Sequence, residues 1–227
     1  MLGNRLKACS ELVSAGGVCC DVGTDHAYLP IELILSGRCR RAIACDINRM
    51  PLEAGRENAE KHGVADRIDF VLSDGLAQVD LSGVTDVVIA GMGGELIFEI
   101  ISRCLGLKNG IRLILQPMTR AELLRRQLYA VGYEIERECA VDEKEFVYSV
   151  MAVKYTGVCR DIDIPTEYLG GLTASSAADL RYAERLLIRE GKIAEGLEKS
   201  DAPTAAAELR IHREIIKAVS AFLKSED

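Results

Sequence analysis

The sequence lacks the features that mark membrane and secreted proteins. No run within the 227 residues approaches the roughly 20 apolar positions of a membrane-spanning helix, and no apolar block of signal length follows the charged start. The eight cysteines form neither a C-x-x-C pair nor a zinc-ligand spacing. We therefore expect a cytoplasmic protein with buried, reduced thiols, without a disulfide framework or a metal site.

The chain also has no excess of basic residues. Its formal net charge of −7 argues against a globally basic nucleic-acid binder, although a local basic patch remains compatible with this charge. Hydrophobic residues make up 48% of the chain and charged residues 28%. This composition is typical of a globular protein rather than a disordered one.

Five apolar, strand-like runs alternate with segments of helical periodicity, which is typical of a parallel α/β sheet. These predicted strands cover residues 18–22, 41–47, 68–72, 86–90 and 111–115. Two more strand-like segments, 133–141 and 146–155, are separated by too few residues for a helical crossover, so they form an antiparallel hairpin. The sequence thus predicts a Class I (Rossmann-like) methyltransferase layout: a seven-stranded, mostly parallel sheet with one antiparallel strand.

The last part of the chain is helical in pattern. A glycine-containing linker is predicted at 157–171, followed by one apolar stripe up to Leu197 and a second, at heptad spacing, from Ala202 to Leu223. We predict a methyltransferase domain at 1–156 and a coiled-coil-like helical hairpin at 172–227. The heptad stripe suits a dimer as well as an intrachain hairpin, so the oligomeric state stays open, with a monomer favoured.

The most informative segment is DVGTDHAYLP at 21–30, where the first strand turns into a helix. In such sheets ligands bind beyond the carboxyl ends of the strands. Gly23 lets the backbone approach a ligand, but Asp25 stands where a dinucleotide-binding G-x-G-x-x-G loop has its second glycine. A carboxylate there repels a pyrophosphate and favours a cationic ligand. This disfavours a Rossmann dehydrogenase and favours S-adenosylmethionine, which carries a sulfonium and an ammonium.

Acidic residues also end the next two strands. Asp46 is placed to bind the ribose hydroxyls of such a cofactor, and Asp74, beside flexible Gly75, to accept from the adenine amine. The alternative is that these acids only cap turns or helices. The predicted cofactor-binding residues are Asp21, Gly23, Asp46, Ile47, Asp74, Gly75, Gly91 and Met92.

A glycine-rich segment, residues 91–94, follows the fourth strand. Many amino-group methyltransferases have an Asn/Asp-Pro-Pro-aromatic clamp at this place, and this sequence has none. The glycines allow a flat base and the methyl donor to approach the backbone, with Met92 as an apolar wall. A turn without any ligand is the alternative.

Three segments together resemble the bacterial TrmK family of tRNA methyltransferases: DVGTDHAYLP, IAGMGG at 89–94 and LILQP at 113–117. The resemblance runs from about Asn4 to Tyr155, and the helical tail matches the family's C-terminal domain in kind. It implies transfer of a methyl group from S-adenosylmethionine to N1 of adenine 22 in the D-arm region of tRNA.

The resemblance implies a catalytic role for Asp25, His26 and Tyr28. Asp25 is a candidate electrostatic stabiliser or late base, and His26 and Tyr28 are candidates for orienting or stacking on the adenine. His26 is alternatively a hydrogen-bonding residue at the helix start.

Further residues are candidates for substrate binding. Gly93 and Gly94 lie where the base is expected, and Gln116 either binds the base edge or has a structural role in its loop. On the tail, Arg181, Arg185 and Arg189 follow one helix side and are candidate phosphate ligands or an ordinary solvated face. Other open interpretations are a methyltransferase for a small molecule or protein, and a cofactor-binding scaffold without turnover.

Overall fold

The computed structural model describes residues 2–225, which contain seven strands in one sheet. In chain order the strands are β1 (Gly17–Val22), β2 (Cys39–Asp46), β3 (Ile68–Leu72), β4 (Asp86–Gly93), β5 (Arg112–Thr119), β6 (Tyr133–Glu143) and β7 (Phe146–Tyr155). Their order across the sheet is β3-β2-β1-β4-β5-β7-β6. Strands β1 to β5 pair in parallel, and β7 is antiparallel to both of its neighbours. The predicted fold class is confirmed.

Helices cover both faces and one edge of this sheet. They are α1 (Asn4–Leu12), α2 (Tyr28–Leu35), α3 (Arg49–Lys61), α4 (Gly94–Arg103), α5 (Ala121–Ala130), α6 (Ile164–Leu169), α7 (Ala177–Glu198) and α8 (Ala205–Leu223). Side chains of α1, α2 and α3 pack in one core on the first face, and those of α4 and α5 in a second core on the other face. A third core joins α6, α7 and α8 to β6 and β7.

The central strands are apolar on both sides because helices cover both faces of the sheet. Along β4, Val88 points into the first core, whereas Val87 and Ile89 point into the second, and all three are 0% exposed. The chain builds the sheet outward from β1 to β3 and then returns to β4, which lies on the other side of β1. This reversal of strand order opens a crevice at the carboxyl ends of β1 and β4.

The C-terminal helices form the predicted hairpin, but the segment predicted as a linker contains helix α6. Leu169 of α6 is buried in the third core. The boundaries predicted for the domains stay a prediction, and residue 1 and residues 226–227, which they include, lie outside the described residues.

A buried ion pair fastens α6 to the sheet. The side chains of Arg125 and Glu138 are both 0% exposed, with Nη2 and Oε1 2.6 Å apart. Arg125 Nη1 also donates to the carbonyls of Glu167 and Tyr168, and Glu138 Oε2 accepts from the Gly171 N–H. The two side chains therefore neutralise each other and also form hydrogen bonds with backbone groups at the end of α6.

A buried carboxylate attaches α7 in the same way. Asp179 Oδ1 accepts from the Ala140 N–H (2.7 Å) on β6, and Oδ2 accepts from the Thr173 N–H (2.8 Å). The start of α7 is thus bonded directly to a sheet strand.

The eight cysteines all lie within the described residues and are free thiols. Five of them are buried, and burial raises the pKa of the Cys9 thiol. No helix within residues 2–225 is long and apolar enough to cross a bilayer.

Candidate active site

The turn after β1 is fastened to the end of β2. The N–H groups of Gly23 and Thr24 both donate to the Cys45 carbonyl, at 2.8 and 3.0 Å. Gly23 has φ +74, and a Cβ added there would collide with the Met92 methyl group. Glycine at this position therefore suits the left-handed backbone of the turn and lets the Met92 side chain, near the end of β4, pack against it.

Two polar groups are buried in this turn. Burial raises the pKa of the Asp21 carboxyl to about 6, the Thr24 hydroxyl opposes this shift, and the charges of Asp46 and Asp25 add to it. The Thr24 hydroxyl oxygen is buried without a well-formed hydrogen bond to any of residues 2–225. A buried polar atom in this position is available to a ligand. Thr24 was not among the residues predicted from the sequence.

Strained backbone at the start of α2 presents the predicted catalytic residues to solvent. His26 and Ala27 both have φ 53, in the left-handed region that non-glycine residues adopt rarely. Asn58 of α3 donates to the His26 carbonyl (3.0 Å), and Gly55 leaves room for Ala27, since an added Cβ would lie 3.0 Å from the Ala27 Cβ. Contacts with α3 therefore maintain the strain, as is common at functional sites.

Asp25, His26 and Tyr28 lie together on this turn. The Asp25 and His26 side chains are 82% and 49% exposed, with Oδ1 and Nε2 3.4 Å apart. The rings of His26 and Tyr28 are 5.5 Å apart between centroids and tilted by 30°. The group offers a carboxylate and two flat rings at one edge of the crevice. An open cleft of about 550 Å³, lined partly by Asp25, His26 and Met50, continues from it.

The predicted cofactor residues on β2 and β3 lie at the same edge of the sheet. Asp46 Oδ1 accepts from the Asn48 N–H (2.7 Å), so this carboxylate caps the turn into α3. Capping leaves other lone pairs of the carboxylate available. The end of β3 is hydrogen-bonded to the end of β2, because the Ser73 N–H donates to the Asp46 carbonyl (2.9 Å). Ile47, 63% exposed, adds an apolar surface.

Asp74 and Gly75 extend this edge beyond β3. Asp74 Oδ2 lies 3.9 Å from Arg103 Nη1 in an exposed pair. Gly75 has φ +56, and its carbonyl faces the Cys45 thiol at 3.6 Å. The ends of β1, β2 and β3 thus bring the predicted cofactor residues together.

Residues 91–93 of the glycine segment belong to β4, which the structure extends from residue 90 to Gly93, and Gly94 begins α4. Pairing with β5 is irregular between Ala90 and Gly93, and Gly91 has φ +78. The Gly91 N–H donates to Gln116 Oε1 (3.1 Å). Gly94 packs directly under the Arg120 carbonyl.

Gln116 is fully buried and bonded on both sides of its amide. Its Oε1 also accepts from Arg5 Nη1 (2.7 Å), and its Nε2 donates to the Pro117 carbonyl (2.9 Å). The Arg5 guanidinium lies 5.5 Å from the Tyr148 ring centroid. This geometry favours the structural role for Gln116, and it places the Arg5 guanidinium beside Gly91 of the glycine segment.

Two of the tail arginines contact the segment around the turn between β6 and β7, and the third contacts α5. Arg181 pairs with Asp142, and Arg185 donates to the Glu145 carbonyl. Arg189 Nε lies 2.8 Å from Glu190 Oε1 and its Nη2 lies 3.9 Å from Glu122 Oε2. Arg181 and Arg185 therefore hold α7 against β6 and the turn that follows it, and Arg189 links α7 to α5. Their predicted phosphate binding stays a prediction.

Residues 2–225 contain no cluster of three or more His, Cys, Asp or Glu side chains suited to a metal ion. The chemistry available here is that of carboxylates, an imidazole, a phenol and backbone amides.

The chain is similar to known methyltransferases in sequence and in structure. Residues 2–151 match the family model described as a methyltransferase domain. The tRNA (adenine(22)-N(1))-methyltransferase of Bacillus subtilis is 34% identical over 154 residues. That match covers 67% of this chain and 65% of the relative, just under two thirds of its length.

Solved structures match over the whole chain. The Bacillus subtilis m1A22 tRNA methyltransferase TrmK is 26% identical with a TM-score of 0.87, and the match covers 99% of both chains. Streptococcus pneumoniae Sp1610, in complex with S-adenosyl-L-methionine, is 30% identical with a TM-score of 0.83. That match covers 98% of this chain and all of Sp1610. This protein therefore belongs to the methyltransferase-domain family and, within it, to the TrmK family.

Proposed function

We propose that this protein transfers the methyl group of S-adenosylmethionine to N1 of adenine 22 in tRNA. The proposal takes its substrate from the Bacillus subtilis relative and its cofactor from the Sp1610 complex. The single observation that carries it is the strained turn after β1, which presents Asp25, His26 and Tyr28 beside the buried Asp21 and Thr24 groups.

The crevice fits the proposed cofactor. Asp21 supplies a carboxylate for a cationic group, Thr24 a buried hydroxyl beside it, and Asp46 a carboxylate for hydroxyl donors. At Gly23 the Met92 methyl group fills the space that a side chain would take, so Met92 forms an apolar wall beside the turn. S-adenosylmethionine, when bound, supplies an electrophilic methyl group on sulfur.

The side chains at the mouth would orient the base. N1 of adenine has its own lone pair, so the enzyme needs alignment and exclusion of water more than prior removal of a proton. His26 and Tyr28 present flat rings on which the adenine can stack. Methylation leaves a positive charge on the base, which the Asp25 carboxylate stabilises. The same carboxylate is available to accept the proton that the exocyclic amine later releases.

Methyl transfer to tRNA tests the proposal directly. Unmodified tRNA transcripts with adenine or guanine at position 22 are incubated with the protein and cofactor labelled in the methyl group. We expect one labelled methyl per adenine-22 transcript, found as 1-methyladenosine, and no label in the guanine-22 transcript. Label in a protein or small-molecule fraction instead, or cofactor binding without any transfer, would overturn the proposal.

Asp25→Asn tests the assigned role of the carboxylate. We expect the transfer rate to fall by about 100-fold or more, with cofactor affinity unchanged, because Asp25 lies on the substrate side of the turn. Asp66→Asn, an exposed carboxylate beside β3, is the matched control and should keep full activity. Full turnover in Asp25→Asn would remove this residue from the mechanism.

A further inference from the structure

A second concave surface lies between the sheet and helix α7, beside the glycine segment. Its volume is about 290 Å³. We call it the α7 cleft and define it by six of its lining residues, Arg120, Phe146, Tyr148, Tyr182, Arg185 and Arg189.

The α7 cleft adjoins the place proposed for the target base. Gly93, in the glycine segment, pairs with Thr119 across β4 and β5, and Thr119 lines the cleft. Gly94 packs under the carbonyl of Arg120, the next cleft residue. A nucleic acid strand whose adenosine enters the crevice therefore meets the cleft with a neighbouring nucleotide.

The cleft is positively charged although the chain carries a net charge of −7. Its lining includes three arginines and one acid, Glu122. Glu122 already lies 3.9 Å from Arg189. The exposed Arg120 side chain forms no ion pair within residues 2–225. Arg120 is thus a cation available to an anionic ligand at the edge of the cleft nearest the glycine segment.

The lining of the cleft also includes an exposed aromatic ring. Phe146 is 49% exposed at the turn between β6 and β7. The Arg185 guanidinium lies 5.8 Å from its ring centroid, and the Tyr148 ring lies 6.1 Å away. These neighbours fix the ring in place while leaving much of it in water. Exposed rings beside arginines are the usual recognition surface for unstacked bases in RNA.

We propose that the α7 cleft binds a nucleotide that flanks the methylated adenosine, with its base on Phe146 and its phosphate on Arg120. This inference rests on the proposed function, because it takes RNA as the substrate. An acidic peptide matches the charge of the cleft but gives no reason for the exposed ring, so the RNA strand is the occupant that accounts for both features.

Binding of unmodified tRNA to the full-length protein is the primary measurement. We expect Phe146→Ala and Arg120→Gln each to weaken tRNA binding about tenfold. Phe146→Tyr should restore most of the affinity, because it restores the ring. The cofactor dissociation constant and the melting temperature should not change, since both side chains are exposed. Leu105→Ala and Lys61→Gln, at exposed positions away from the cleft, are the matched controls.

The salt dependence of binding separates the two assigned contacts. Removing a phosphate contact lowers the slope of log K against log salt by about 1, whereas removing a stacking contact leaves it unchanged. We expect the first result for Arg120→Gln and the second for Phe146→Ala. A merely structural role for either residue would not produce this split.

The outcomes distinguish this inference from the proposed function. If wild-type protein binds tRNA and both variants bind it equally well, the cleft assignment is wrong while the proposed function stands. If the variants bind tRNA more weakly but the wild type transfers no methyl group, the cleft assignment stands and the proposed function fails. Tighter binding of an acidic peptide than of a single-stranded RNA hexamer would overturn the choice of RNA.

Discussion

Burial changes the chemistry of the Asp21 carboxyl, and the effect on stability has a definite sign. Its pKa is raised to about 6, whereas an unfolded chain has an Asp pKa near 3.9. The folded state therefore binds this proton more tightly than the unfolded state does. The contribution of Asp21 to the free energy of unfolding is fully present below about pH 4 and is lost as the pH rises through about 6. Above about pH 6 the ionised carboxylate costs the fold up to roughly 3 kcal/mol.

Asp21→Asn should therefore make the protein more stable at about pH 7.5, by about 1 to 3 kcal/mol, and remove most of its cofactor binding. Stability is measured by urea unfolding and binding by calorimetry. The difference in stability should disappear below about pH 3, where the wild-type carboxyl is protonated in both the folded and the unfolded state. A variant that is less stable than the wild type at neutral pH would contradict this account of Asp21.

The contact between Gln116 and Arg5 provides a second test at this scale. Gln116→Leu should lower stability by about 2 kcal/mol or more, because Gly91 N–H and the Arg5 guanidinium both lose their acceptor. The double variant Gln116→Leu/Arg5→Met should lose less stability than the sum of the two single variants, because the guanidinium that would lack its acceptor is then absent. Unfolding of the four proteins of this double-mutant cycle gives the coupling energy. Unchanged stability with a raised KM for tRNA would instead support a base contact for Gln116.

At the scale of helices and strands, the Arg125–Glu138 pair should control the docking of α6. Arg125→Met should lower stability by about 3 to 5 kcal/mol, because it leaves Glu138 buried without a compensating charge. Arg160→Met, which breaks the exposed pair with Glu134, is the matched control and should cost less than about 1 kcal/mol. Hydrogen exchange checks the location: amides of α6 should lose protection in Arg125→Met while those of β1 keep theirs.

The same elements show which features the sequence could predict. Strands β1 to β5 were predictable because residues such as Val87, Val88 and Ile89 form continuous apolar runs between turn signals. The acids at the strand ends were predictable because parallel strands bring their carboxyl ends to one edge.

Features that depend on buried charge were not predictable. Asp179 and Glu190 are buried on α7, but in sequence they are typical of a solvated helix face, so the predicted apolar stripe missed them. Helix α6 was assigned to the linker although the sequence carries two start signals for it, the N-cap residue Asp163 and Pro165 in the first turn. What the sequence did not show is the buried Arg125 side chain, which binds the carbonyls of Glu167 and Tyr168 at the end of this short helix. The role of Thr24 was equally invisible, because only the fold buries its hydroxyl beside Asp21.

At the scale of the whole molecule, the positions of the three cores determine which parts of the structure depend on the C-terminal helices. The cores on the two faces of the sheet contain no residue beyond Tyr155 among those described. The third core needs Tyr182, Leu186, Ile215 and Val219 of the tail to cover Ala140 and Leu169. The cofactor crevice is therefore independent of the tail, whereas the outer edge of the sheet is not.

Two truncated chains test this division. A chain ending at Gly171 keeps the bonds from Arg125 to the Glu167 and Tyr168 carbonyls and from Gly171 to Glu138, whereas a chain ending at Thr156 loses all of them. We expect the chain ending at Gly171 to bind the cofactor with a dissociation constant within about threefold of that of the full chain. It should melt at a lower temperature because the third core is exposed. It should bind tRNA weakly because it lacks helix α7, which lines the α7 cleft. The second should be less stable than the first, since its buried ion pair loses its backbone partners. Calorimetry with cofactor, thermal melts and tRNA binding give the three readouts. Equal stability of the two chains would show that α6 contributes nothing to the free energy of unfolding. Loss of cofactor binding in the chain ending at Gly171 would show that the crevice depends on the C-terminal helices.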